Sequence, residues 1–203
     1  MMRYIFLFLC IWQAGCRQAP PSSAKAYMEY LSDTKNGLKK VEMRNDIQVT
    51  ALYQPTDLMV LNELEASAYA TAAASPDSLK NKYMNISCFA LAFSKHGREA
   101  LDMNKGYGEY SALLQTLSFN MKDFILLTTD RNDTICVNDY LFQRTFNMSP
   151  ANMLLLVFPA EKIRASEQLR LHVREFGLNT GNITFDFKTK NILNTPEVEW
   201  NDL

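Results

Sequence analysis

Apolar and polar residues alternate along several short stretches of the chain, which is typical of β-strands with one buried face. The four clearest alternating stretches are 38–44, 47–53, 169–174 and 183–187. The first two flank Asn45-Asp46, so they are predicted to form a hairpin that turns at these residues. Two runs that are almost wholly apolar, 84–93 and 152–158, are predicted to be central strands with both faces buried.

The remaining stretches predict a second hairpin and a few helices. Residues 124–129 are predicted to form a strand, and 134–137 and 140–146 a hairpin around Asn138-Asp139. Helical spacing of apolar residues predicts helices at 24–31, 58–74 and 109–122. Ser75-Pro76 is expected to end the second of these helices, and the acidic end of the chain, 197–203, is expected to fray.

Because strands outnumber helices and occur as hairpins, the predicted fold class is α+β. We expect an antiparallel β-sheet or β-sandwich with two or three helices, formed by residues 24–203 as a single domain. The composition of the 203 residues, 47% hydrophobic and 21% charged, is that of an ordinary folded domain. Since 21 basic residues nearly balance 22 acidic ones, the chain is not expected to bind nucleic acid through bulk charge.

The first fifteen residues have the layout of an export signal. Arg3 provides a positive charge, residues 4–12 form an apolar run, and the small residues Ala14-Gly15 follow. A bilayer-spanning helix needs about 20 apolar residues, and this run is shorter. Residues 1–15 are therefore predicted to be a signal peptide that is removed on export.

The residues at the end of this signal suggest a lipid anchor. Ala14-Gly15-Cys16 resembles the lipobox of bacterial lipoproteins. The resemblance implies cleavage before Cys16 and acylation of the cysteine, with palmitate among the acyl chains, so that residues 16–23 become a lipidated tether to the membrane. Gln13 stands where that family prefers leucine or another aliphatic residue, so ordinary cleavage and secretion remain the alternative.

Sorting features of lipoproteins favour the periplasmic face of the outer membrane. Arg17 occupies the position at which an aspartate would imply retention at the inner membrane, and no acidic run that would imply surface export follows Cys16.

Further along, the chain resembles a set of uncharacterised Bacteroidota lipoproteins. The residues that carry this resemblance are Asn36-Gly37-Leu38-Lys39-Lys40, Asn45 and Tyr53-Gln54-Pro55-Thr56-Asp57-Leu58. It covers about the first third of the mature chain and brings no established activity, catalytic residue or ligand. Asp77-Ser78-Leu79 and Asp133-Thr134-Ile135 are similar to the short sites at which those bacteria attach O-glycans.

Two cysteines remain in the mature chain besides Cys16. Cys88 and Cys136 both lie in predicted strands, and the oxidising envelope favours a disulfide between an even pair. The alternative is that both remain free thiols that pack as small apolar groups.

The chain carries few residues with the spacing that catalysis or metal binding requires. It has two histidines and lacks the His-Glu-x-x-His, Gly-x-Ser-x-Gly, Cys-x-x-Cys and phosphate-loop motifs, so no metal, cofactor or catalytic residue is predicted. Arg170, His172 and Arg174 share the polar face of one predicted strand and are candidates for binding an anion, since arginine makes paired bonds to carboxylates and phosphates. The alternative is a solvated sheet face.

The sequence therefore predicts a lipid-anchored binding or assembly protein of the cell envelope, with an envelope protein as its expected partner. The alternative is an envelope hydrolase whose site is assembled from residues distant in the sequence.

Overall fold

The structure, a computed structural model, describes residues 23–67, 75–101 and 106–200. The predicted signal peptide, Cys16 and all but the last residue of the predicted tether lie outside the described residues. The last seven residues of the predicted helix 58–74 lie outside them as well.

The described chain contains ten strands and six α-helices. The strands are β1 (Lys39–Arg44), β2 (Ile47–Gln54), β3 (Ile86–Lys95), β4 (Arg98–Glu99), β5 (Ile125–Thr129), β6 (Thr134–Cys136), β7 (Asp139–Gln143), β8 (Asn152–Pro159), β9 (Gln168–Val173) and β10 (Ile183–Lys188). The helices are α1 (Ala24–Ser32), α2 (Thr56–Ser67), α3 (Pro76–Tyr83), α4 (Tyr107–Gln115), α5 (Ala160–Arg164) and α6 (Thr189–Leu193).

Two antiparallel sheets face each other across one core. The larger sheet has the strand order β1-β2-β3-β8-β7, with β4 paired to β3, and the smaller has the order β10-β9-β5-β6. Phe89 of β3 and Phe187 of β10, on the inner faces of the two sheets, pack with their ring centroids 5.2 Å apart. Edge-on contacts of this kind suit aromatic rings and add to the stabilisation from apolar burial. The predicted fold class, α+β with antiparallel sheets, is confirmed.

The first predicted hairpin is confirmed, with Asn45 in the left-handed conformation that such a turn requires. The predicted second hairpin is wrong. β6 pairs with β5 in the smaller sheet, whereas β7 pairs with β8 in the larger one. The chain changes sheet between them because Val137 turns into the core and the Asn138 N–H donates to the carbonyl of Val157 at 2.8 Å.

The structure has more helices than the two or three that were predicted. A helix begins at the residues that were predicted to end one: the Ser75 side chain accepts a hydrogen bond from the Ser78 N–H and so caps α3, with Pro76 at the first helical position. α5 and α6 are five-residue helices that directly follow β8 and β10. Among the described residues, no helix is both long and apolar enough to cross a membrane.

A half-buried carboxylate organises the loop between β9 and β10. Glu175 accepts hydrogen bonds from the backbone N–H groups of Gly177 (2.7 Å), Asn179 (2.9 Å) and Gly181 (2.6 Å), and from the Thr180 hydroxyl (3.3 Å). Burial alone would raise the pKa of Glu175, but these donors hold it below its ordinary value. The loop is therefore a fixed structure built around one ionised side chain.

Candidate functional site

The outer face of the larger sheet, which points away from the shared core, is unusually apolar. One row across it runs from Leu52 through Ala90 and Leu155 to Leu141, each directly paired with the next. Residues opposite each other in an antiparallel pair point to the same side of a sheet, so these four side chains form a continuous apolar strip.

α2 and α3 lie at this outer face and leave a groove with a volume of about 390 Å³. Its apolar lining consists of Met59, Ala90, Leu141, Met153 and Leu155. Concave, mainly apolar surfaces with a few polar groups are the usual sites for ligands, and we take this groove as the candidate functional site.

Three side-chain amides stand at the groove, from Gln54, Asn62 and Gln143. Each amide can both donate and accept hydrogen bonds. They come from β2, α2 and β7, so a ligand in the groove meets amides from three separate elements.

The charge at the groove is neutralised within the protein. Glu63 of α2 is bonded by the Lys82 ammonium group at 2.7 Å and by the Tyr83 hydroxyl. The hydrogen bonds from Lys82 and then from Tyr83 lower the pKa of the Glu63 carboxyl. This carboxylate is therefore ionised and paired at neutral pH, and it gives the groove neither a free charge nor a general base.

The apolar outer face remains partly open to solvent. Leu141 and Met153 of the groove are 64% and 38% exposed, and Met43 and Val41 of β1, on the same face but outside the groove, are 57% and 39% exposed. An exposed apolar surface of this kind is characteristic of an interaction site.

A second cleft, of about 440 Å³, lies where the C-terminal segment packs on the body of the protein. Asp57, buried at the start of α2, accepts a hydrogen bond from the Val198 N–H at 2.8 Å and lies 3.2 Å from the Lys80 ammonium group. Lys80 also lies 5.4 Å from the centre of the Trp200 ring. The predicted fraying of residues 197–203 is therefore wrong up to Trp200, since Val198 is buried and held; residues 201–203 lie outside the described part of the chain.

The acidic and nucleophilic groups near this cleft do not form a catalytic set. Both oxygens of Asp57 are engaged, and burial raises the pKa of the Tyr27 and Tyr53 hydroxyls, so both stay protonated at neutral pH. Burial likewise raises the pKa of the Cys88 thiol to about 11. A nucleophile needs a lowered pKa or an adjacent base, so this geometry gives the hydrolase alternative no support.

The structure places Arg170, His172 and Arg174 on β9 and the residue after it, facing outward as predicted. Their polar atoms already have partners. The Arg170 guanidinium lies 3.3 Å from the carboxylate of Asp186 and Arg174 donates to the carbonyl oxygen of Asp123. These contacts favour the solvated sheet face, and anion binding there stays a prediction.

His172 lies between two threonines on this face. Its Nε2 is 2.8 Å from the Thr128 hydroxyl and its Nδ1 is 3.0 Å from the Thr184 hydroxyl. Burial, and secondly the charge of Arg170, lower the pKa of the His172 ring. The imidazole is therefore neutral at pH 7 and adds no positive charge for an anion.

The disulfide considered for Cys88 and Cys136 is not made in the structure. Both are free thiols, Cys88 buried and Cys136 exposed. They lie in different sheets: Cys88 pairs with Val157 in the larger sheet and Cys136 with Leu126 in the smaller. Both therefore follow the alternative of free thiols, although only Cys88 is packed in the interior.

Sequence reasoning did not find the groove. Leu141, Met153 and Leu155 belong to strands that the sequence identifies, but the apolar run 152–158 predicted a strand with both faces buried, which is wrong at Met153, 38% exposed. The sequence does not say that the face lining the groove would remain partly uncovered, since that depends on where α2 and α3 end.

Comparison of the chain with protein-family models, with curated proteins and with solved structures found no match. Within the described ranges, no three histidine, cysteine, aspartate or glutamate side chains are placed to hold a metal ion. The binding chemistry of the protein is therefore inferred from its own surface.

Proposed function

We propose that the protein is a lipid-anchored binding protein of the cell envelope that holds an apolar segment of a partner polypeptide in the groove. The observation that supports this most directly is the groove itself. It has a volume of about 390 Å³ and a mainly apolar lining, and it lies between α2 and an open sheet face. A surface of this size and character buries several side chains of a partner, and apolar burial is the main driving force of association.

A polypeptide suits the polar groups of the groove better than a charged amphiphile. The amides of Gln54, Asn62 and Gln143 can bond to the N–H and C=O groups of a peptide backbone. Met59 and Met153 can adapt to side chains of different shape, since methionine is flexible and polarisable. Lys82 is already paired with Glu63, so the described lining of the groove offers no free cation to an acidic headgroup.

The groove proposal is tested by photo-crosslinking in cells, with the reactive amino acid placed at Asn62 on the groove or at Met43 outside it. We expect polypeptide adducts from position 62 and none from position 43. The adduct from position 62 should disappear in the Leu141→Glu/Met153→Glu variant, because two carboxylates would then stand in the apolar lining. Mass spectrometry should locate the crosslink in an apolar stretch of the partner.

The matched control is Val41→Glu/Met43→Glu, with the reactive amino acid at Asn62. It adds the same charge to the same sheet face at side chains of similar exposure, outside the groove. A synthetic peptide of the crosslinked sequence should bind this control as it binds wild type, and should bind the groove variant at least about tenfold more weakly. Adducts of lipid mass, or equal crosslinking from positions 62 and 43, would contradict the proposal.

The anchor proposal concerns Cys16 and follows from its resemblance to the lipobox. Cys16→Ala should abolish incorporation of labelled palmitate and move the protein from the membrane to the soluble fraction, because the acyl chains would have no attachment point. Cys136→Ala, which removes an exposed thiol of β6, is the control and should change neither. Membrane association that persists in Cys16→Ala would refute the anchor and leave the groove proposal standing.

A further inference from the structure

A third concave surface, of about 830 Å³, lies at the end of the larger sheet where β7 ends and β8 begins. It is formed by the turn between β3 and β4 and by the connection 144–151 between β7 and β8, and we call it the cationic cleft. Gln143, which lines the groove, directly precedes that connection. Met153, which also lines the groove, follows its end after one intervening residue. A chain that leaves the groove along β7 and β8 therefore reaches the cleft directly.

The cationic cleft presents positive charge. Lys95, His96 and Arg98 line it, and Glu99 is the one carboxylate among the described residues of its lining. Glu99 is buried, and it accepts hydrogen bonds from the Thr145 hydroxyl and from the Asn152 side-chain amide, the latter at 2.8 Å. Glu99 is thus engaged inside the protein, and no acidic side chain of the described residues forms an ion pair with Lys95 or Arg98, which can therefore meet an anion from outside.

Internal hydrogen bonds fix the shape of the cleft. Asn152 also accepts from the Leu101 N–H at 2.7 Å, and the Ser94 hydroxyl donates to the carbonyl of Pro150 at 2.6 Å. The Ser94 bond ties the connection 144–151 to β3, and the Asn152 bond ties the start of β8 to the chain after β4. A site whose shape is set in advance loses less entropy when it binds.

Apolar side chains stand on the same connection. Phe146 and Met148 are 62% and 84% exposed, and the Arg144 guanidinium lies 4.4 Å from the centre of the Phe146 ring. Phe146 and Asn147 both have left-handed backbone conformations, with φ of 52° and 62°, which are costly for residues other than glycine. The fold thus maintains a conformation that displays an aromatic ring beside positive charge.

We infer that the partner segment carries acidic residues directly after its apolar stretch, and that their carboxylates bind in the cationic cleft at Lys95 and Arg98. This inference rests on the proposed function, since it names the chemistry of the chain held in the groove. A polypeptide fits the cleft better than a bilayer does, because a narrow chain can enter a concave surface and a flat membrane cannot. Arginine and lysine bind carboxylates through charge-assisted hydrogen bonds.

The test uses two labelled peptides of alternating leucine and serine, one ending in glutamates and its twin ending in glutamines. The protein is purified as the Cys16→Ala variant, so that no detergent competes for apolar surface, and binding is measured by fluorescence anisotropy at low salt. We expect the glutamate peptide to bind about tenfold more tightly than its twin, as two or three partly solvated ion pairs allow. The preference should shrink as salt is added.

Variants separate the two surfaces. Lys95→Gln/Arg98→Gln should abolish the preference for glutamate and leave binding of the twin unchanged. Lys162→Gln/Lys190→Gln, which removes the same charge from α5 and α6, should keep the preference. Leu141→Glu/Met153→Glu should weaken binding of both peptides.

The outcomes against the inference are distinct from those against the proposed function. Equal binding of the two peptides to wild type would overturn the acidic segment alone. If the Leu141→Glu/Met153→Glu variant binds both peptides as tightly as the unchanged groove does, the groove proposal is wrong. If vesicles of phosphatidylglycerol bind the Cys16→Ala protein and fail to bind it once Lys95→Gln/Arg98→Gln is added, the cleft recognises lipid headgroups and the inference is wrong.

Discussion

Replacing Asp57 by alanine should release the C-terminal segment and lower the free energy of unfolding by about 2–4 kcal/mol. The change leaves the buried N–H of Val198 without its acceptor and the Lys80 ammonium group without its nearest carboxylate. Most of the cost comes from the buried Val198 N–H left without an acceptor, and less from Lys80, whose side chain is 29% exposed and partly solvated. Denaturant unfolding monitored by Trp200 fluorescence measures the loss, and a glutamate-specific protease should cleave faster after Glu197 and Glu199.

Two variants identify the cause of this effect. Asp57→Asn keeps an oxygen that can accept from Val198 but removes the charge, so it should lie between wild type and Asp57→Ala. Asp77→Ala removes an exposed carboxylate from the first turn of α3 and should cost no more than about 1 kcal/mol. If Asp57→Ala costs no more than Asp77→Ala, Asp57 does not hold the C-terminal segment.

Replacing Glu175 by alanine should lower the free energy of unfolding by about 2–3 kcal/mol and loosen the loop between β9 and β10. Three backbone N–H groups lose a charged acceptor at once, and hydrogen bonds to charged groups contribute more than neutral ones. Water can replace part of what is lost, since the loop is exposed at Gly177, Asn179 and Gly181. Hydrogen exchange of these three amides should accelerate in the variant.

The stabilisation by Glu175 should depend on pH and disappear on acidification. The pKa of Glu175 is lower in the folded protein than the value of about 4.3 expected when unfolded. Its contribution is therefore fully present above about pH 4.3 and is lost as the pH falls through the folded pKa, so the stabilities of wild type and Glu175→Ala should converge on acidification. Glu167→Ala, a change at an exposed carboxylate at the other end of β9, should follow wild type. A constant gap between wild type and Glu175→Ala at all pH values would contradict the assignment.

The sequence predicted the elements of this fold better than the contacts between them. β1 and β2 were predictable because their alternation and the Asn45-Asp46 turn lie within one short stretch. β6 and β7 carry similar local signals around Asn138-Asp139, yet they belong to different sheets. Local pattern cannot distinguish the two cases, since the choice depends on the burial of Val137 against residues far away in the chain.

The candidate site could not be predicted for a related reason. The groove combines side chains from β2, β3, β7, β8 and two helices, none of which forms a motif in the sequence. The cationic residues that did form a pattern, Arg170 and Arg174, face partners within the protein. Lys95 and Arg98 flank a turn that the sequence indicates only as a loop. Their proposed role in binding an anion depends on the burial of Glu99, which the sequence does not reveal.

The passage of the chain from one sheet to the other has a practical consequence. Only Val137 and Asn138 separate β6 from β7, so neither sheet can open far without pulling on the other, and we expect the domain to unfold in one cooperative step. A compound that binds only the folded groove then raises the melting temperature of the whole molecule by mass action. The melting temperature therefore reports whether the groove is occupied. A cell fraction that raises the melting temperature of wild type, and leaves that of Leu141→Glu/Met153→Glu unchanged, contains a natural ligand of the groove.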